Sequence, residues 1–131
     1  MNSHFEKIRE YLLELDYHIV QQDEAEGVFV IENEHHGIKN VVLIIADPIL
    51  IVEQYLFEIK SETTEVFKEL LKKNRDIIHG AFALDDTGKK VLFRNTHECE
   101  NLDPNELEAT LNSLSLLLSE YADELIRFSK N

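Results

Sequence analysis

Between Tyr17 and Ile59 four strand-type segments follow one another with only turns between them. "YHIVQQ", "GVFVIEN", "KNVVLIIA" and "ILIVEQYLFEI" are rich in Val, Ile, Phe and Tyr, which suit a pleated sheet. They are separated by "DEAEG", "EHHG" and "DP", made of residues that tolerate turn dihedrals. A parallel crossover takes a dozen residues or more, so strands this close in sequence pair antiparallel. Val41 to Ala46 lacks apolar–polar alternation, which predicts a central strand covered on both faces.

Helical patterns flank this block. Ser3 and Glu6 have the form of a capping box, and Phe5, Ile8, Leu12 and Leu15 then recur at steps of three and four. "SETTEVFKELLKKN" restores helix propensity, with Ser61 as N-cap and Glu62 and Glu65 at the positive start. Lys72 and Lys73 stand at its negative end, and Val66, Phe67, Leu70 and Leu71 form its buried face. A hairpin follows, with strands near 80–84 and 89–95 joined by "DDTG", where Gly88 supplies the positive φ of the loop.

Asp103-Pro104-Asn105-Glu106 then opens a last helix, with Asp as N-cap and Pro in the first turn. Along it Leu107, Leu111, Leu114, Leu118, Tyr121, Leu125 and Phe128 step by four and three. Leu116, Leu117, Ala122 and Ile126 widen that seam into a stripe suited to lying across a sheet. A helix-mediated dimer is the alternative use of the same seam. The expected fold class is therefore α+β: a twisted antiparallel sheet with three helices, in the order α-ββββ-α-ββ-α. A chain of 131 residues has room for one domain, taken as 1–131.

Charge narrows the function. With 26 acidic against 13 basic residues the net charge is −13, which argues against nucleic acid and against anionic membrane surfaces. It favours solubility and attraction to basic partners. Cys99 is the single cysteine, so no internal disulfide forms and a reducing compartment fits. The N-terminal segment lacks an uninterrupted signal-peptide core, and Asp47-Pro48 breaks the longest apolar run, so a cytoplasmic location is expected.

Chemistry-bearing residues are scattered. His35-His36 would splay in a turn, and His97-x-Cys99 offers fewer ligands than zinc requires, so no metal site is expected. The chain has no Gly-x-Ser-x-Gly elbow, phosphate-cradling glycine loop or His-Glu-x-x-His helix. Neither a catalytic residue nor a cofactor is predicted, and the chain reads as a non-enzyme.

The order of elements and several phrases resemble the YbjN-type domain and the related type III secretion chaperones of the Tir-chaperone (CesT-like) group. Leu70, Leu71 and Asn74 match a Leu-Leu-x-x-Asn helix end. Gly80, Ala81, Phe82 and Ala83 match its small-residue strand, Asp85, Asp86 and Gly88 its turn, and Leu102, Asp103, Glu106 and Leu107 its closing helix start. The match is close over the C-terminal half and follows element order in the N-terminal half. The resemblance implies a small, acidic, non-enzymatic protein that often forms homodimers and holds a polypeptide client.

Three functions follow as expectations. A chaperone-like or adaptor domain would bind its client through exposed apolar residues, with Phe5, Ile8, Tyr11, Leu12, Tyr55 and Phe57 as candidates. Each of these also reads as core. A small-molecule site would need polar groups converging around His18, Arg94 or His97. A self-associating homodimer, implied by the resemblance, would use Val66, Phe67 and Leu70, with Lys68 and Lys72 pairing across to acids of the second subunit.

Overall fold

A computed structural model describes residues 3–60 and 64–130, with the side chain of Ser3 not described. The expected N-cap Ser61, its neighbour Glu62 and the Ser3 side chain of the capping box therefore lie outside what is described.

The elements run α1 (Ser3–Glu14), β1 (His18–Asp23), β2 (Val28–Asn33), β3 (Ile38–Ala46) and β4 (Ile49–Glu58). There follow α2 (Thr64–Asn74), β5 (Ala81–Leu84), β6 (Lys90–Glu98) and α3 (Pro104–Lys130). A short 3-10 turn at Glu34–His36 joins β2 to β3. The six strands form one antiparallel sheet in the order β1-β2-β3-β4-β6-β5. This is the α+β order expected from the turn lengths.

Local sequence accounts for the element ends. Asn33 accepts from the His36 N–H, and Gly37 closes the 3-10 turn at φ 67°. Asp103 accepts from the Glu106 N–H at 2.8 Å, so the predicted N-cap of α3 is formed. Gly88 takes φ 74° in the β5–β6 loop. Gly80 enters β5 at φ 97°, where a Cβ would lie 2.4 Å from the Phe93 ring. Only glycine fits there.

The register shows on which side of the sheet the core sits. Phe29 pairs with Leu43, Leu43 with Val52 and Val52 with Asn95, so these four share one face. Phe5 of α1 stacks on Phe29 with ring centroids 4.3 Å apart. Thr110 of α3 meets Asn95, and Phe128 meets Phe57, on that same face. Phe67 and Leu70 of α2 line a groove with Phe82 and Val91, again on that face. All three helices thus cover one side of the sheet.

β3, predicted to be covered on both faces, lies centrally between β2 and β4, and the described residues cover it on one face only. Val41, Leu43 and Ile45 are buried, while Val42 and Ile44 between them are only partly so. The missing alternation arose because this chain places aliphatic residues on its uncovered face as well. The α3 stripe is likewise narrower than predicted: Leu107, Leu111, Leu114, Leu117, Leu125 and Phe128 are buried, whereas Leu116 and Ile126 are exposed. Leu71, expected on the buried face of α2, is 70% exposed.

Candidate functional site

The uncovered side of the sheet can be read row by row. Asp23, Val28, Ile44, Ile51 and Thr96 pair in succession across β1, β2, β3, β4 and β6. Gln21, Val30, Val42, Glu53, Arg94 and Ala81 form the next row. Ala46, Ile49 and Glu98 form a third. Val28, Val30, Val42, Ile44, Ile49 and Ile51 make an aliphatic block three strands wide, every member partly exposed. A sheet face is ordinarily buried against another layer, and this one has none among the described residues.

Charge frames the block. Asp23 stands at the β1 margin, Glu98 at the β6 margin, and Glu32 and Glu53 at one end. Arg94 lies on this face with Nε 3.2 Å from the Glu53 carboxylate, so its charge is already matched. Lys90 places its ammonium 5.9 Å from the centre of the Tyr55 ring. The margin is acidic in sum.

A second apolar surface lies at the other end of the sheet. Phe67, Leu70, Leu71, Asn74, Phe82 and Leu84 line a groove of about 320 Å³ between α2 and β5. Phe67 and Leu71 are four residues apart and share a helix face. Leu84 is 45% exposed beside them. Asn74 closes the outer edge of β5: its Oδ1 accepts from the Phe82 N–H at 2.7 Å, and its Nδ2 donates to the Phe82 carbonyl at 3.1 Å.

The candidates read from sequence divide accordingly. Phe5, Ile8 and Leu12 have no exposed area, and Phe57 is 5% exposed. These four are core residues, because α1 turns its apolar stripe onto β2 and Phe57 packs against Phe128 of α3. Tyr11 is partly buried and donates its hydroxyl to the Leu102 carbonyl at 3.2 Å. Tyr55, 51% exposed, does stand on the open face.

For the dimer set, Val66 and Leu70 are buried and Phe67 is partly exposed. Leu71, expected on the buried face of α2, and Leu84, not singled out in the sequence, complete that surface. Lys68 is exposed, and Lys72 lies 3.6 Å from Glu69 of its own helix. The aliphatic block was also missed, although the unbroken run from Val41 to Ala46 carried the signal.

The polar groups proposed for a small-molecule site do not converge. His18 and Arg94 lie on the open face, whereas His97 faces α3. Asn95 Nδ2 donates to Thr110 Oγ1 at 2.8 Å, and His97 Nε2 lies 2.8 Å from the same oxygen. With the oxygen accepting from Asn95, the Thr110 hydroxyl proton is free to serve neutral His97. Burial holds His97 below the ordinary imidazole range, Glu106 opposes that shift and His79 adds to it.

The Cys99 thiol is buried, and its pKa is pushed up by that burial and by Asp47 against the pull of Lys7. An activated nucleophile needs the opposite shift. Among the described residues no three His, Cys, Asp or Glu side chains gather as a metal ion would require. No helix among them is long and apolar enough to cross a membrane.

A family model described as CesT_Tir_1 matches residues 1–131. A search of curated proteins finds no match. Among solved structures, the ExsC–ExsE complex aligns with a TM-score of 0.67 at 20% identity, over 95% of this chain and 97% of that one. YbjN from E. coli aligns with a TM-score of 0.66 at 10% identity, over 91% of each chain. The Yersinia pestis type III secretion chaperone SycH, in complex with a stable fragment of YscM2, aligns at 0.60 and 18% identity. That alignment covers 97% of this chain and 100% of SycH. At these identities the likeness establishes the fold.

Proposed function

Because this chain belongs to the CesT_Tir_1 family, we propose that it is a non-enzymatic, chaperone-like protein that holds a polypeptide client. The observation that carries this reading is the open sheet face, where Val28, Val30, Val42, Ile44, Ile49 and Ile51 lie side by side without a covering layer among the described residues. Similar folds solved with a bound polypeptide, ExsC with ExsE and SycH with the YscM2 fragment, support it. The chain works in the cytoplasm as one domain, 1–131, without a cofactor. A cytoplasmic location agrees with a buried, unpaired Cys99.

The protein acts as a homodimer, joined through the outward face of α2. Phe67 and Leu71, with Leu84 of β5, form the apolar patch that a second copy covers. Two surfaces at different places on the sheet let one molecule pair with itself and still present its open face.

Aggregation of a chemically unfolded polypeptide, followed by light scattering, tests the client reading. The purified chain keeps the unfolded polypeptide in solution, and the double variant Ile44→Ser/Ile51→Ser, retaining its circular dichroism spectrum, does not. Equal aggregation with and without the wild-type chain would refute the reading.

A further inference from the structure

Aliphatic residues occupy three adjacent strands on the open face, a width of about 10 Å at the usual strand spacing. One helix, or one extended chain with its side chains, covers that width. The polar margins are not neutral. Asp23 lies beside Val28 in its row, Glu98 beside Ile49, and Glu53 beside Val42. Arg94 is held by Glu53, and Lys90 lies over Tyr55, so both nearby cations are already engaged.

We infer that the open face receives a single polypeptide segment, aliphatic on one side and carrying Lys or Arg at its margins. This rests on the client-binding reading above and names the chemistry of the client. A second copy of the chain is the wrong occupant. It would set the acidic margins of this face, Asp23 and Glu98, against the same residues of the other copy. A basic margin instead meets Asp23 and Glu98 on opposite sides of the block, while the aliphatic stripe removes Ile44 and Ile51 from water.

The test uses two synthetic amphipathic peptides with identical aliphatic positions, one with Lys and one with Glu at every flanking position. Their affinities for the full chain are measured by isothermal titration at about 0.05 M and about 0.5 M salt. The Lys peptide binds about tenfold more tightly at low salt, as two or three exposed ion pairs would give, and the gap narrows at high salt. Asp23→Lys/Glu98→Lys, which leaves the aliphatic block untouched, reverses the preference.

Equal affinities, or an unchanged preference in the charge-reversed variant, would overturn the inference while leaving the client reading to the light-scattering assay. Failure of both peptides to bind a chain that still suppresses aggregation would overturn it as well. Dissociation of the free protein on Ile44→Ser/Ile51→Ser substitution would show that a second copy occupies the face, with the same consequence.

Discussion

Asn74 and Phe82 exchange two hydrogen bonds, side-chain amide against backbone, so that the last residue of α2 serves as a miniature strand beside β5. An unpaired strand edge invites other chains, and this contact closes that edge where β5 carries the uncharged sequence Ala81–Leu84. The far edge is managed differently, by the irregular register at Val20 and by Gln21, Gln22 and Asp23. Asn74→Ala removes both bonds and lowers the unfolding free energy by about 1–3 kcal/mol in urea denaturation. Light scattering of the variant shows larger assemblies than the wild type, and the same stability with the same size would show that the contact does not guard the edge.

Leu71 provides the check on self-association. Its side chain is 70% exposed, so Leu71→Asp should change the stability of a single copy by no more than about 0.5 kcal/mol. The same charge placed in an apolar contact between copies is costly. Size-exclusion chromatography with light scattering should record a dimer for the wild type and a monomer for the variant. A variant that remains dimeric would move the contact away from α2.

Phe5 separates core from binding surface. It is fully buried against Phe29, and Phe5→Ala should cost about 3–5 kcal/mol in unfolding free energy. A loss below about 1 kcal/mol, accompanied by weaker client binding, would return Phe5 to the binding set.

His97 sets a pH dependence. Its pKa is lowered in the folded chain, chiefly by burial, with Glu106 opposing and His79 reinforcing. The unfolded chain, with His97 near its ordinary value of about 6.5, therefore binds more protons in that range. Stability is constant with respect to this group well above about 6.5, and falls as pH drops from there through the lower folded-state pKa. His97→Gln, which keeps a polar partner for Thr110, flattens that slope in urea titrations across the same range. Thr110→Val leaves Asn95 and His97 without their shared partner and costs about 1–3 kcal/mol. An imidazole titration by NMR centred above 6.5 would contradict the assignment.

The fold was legible because turn chemistry is local. "DP" between β3 and β4, and Asp103-Pro104 before α3, mark their boundaries without reference to the rest of the chain. The family was legible for a related reason, since the phrase ending α2 holds Leu70, which packs into the core, and Asn74, which closes the β5 edge. The open face was harder to read. Ile8 and Ile44 are both aliphatic residues in periodic segments, and only the position of the helices decides which of them faces water. All three helices lie on the side of Phe29 and Val52, a tertiary outcome that no local pattern encodes. The absence of alternation in Val41 to Ala46 predicts burial on both sides, whereas in the structure it marks an apolar face left open.

The most direct measurement is methyl NMR of the full chain, labelled at Ile and Val, during titration with the Lys-margined peptide. Binding at the open face shifts Val28, Val30, Val42, Ile44, Ile49 and Ile51 together and leaves Ile8 and Val52 of the helix-covered side unmoved. Shifts confined to the helix side or to the α2–β5 groove would contradict the account.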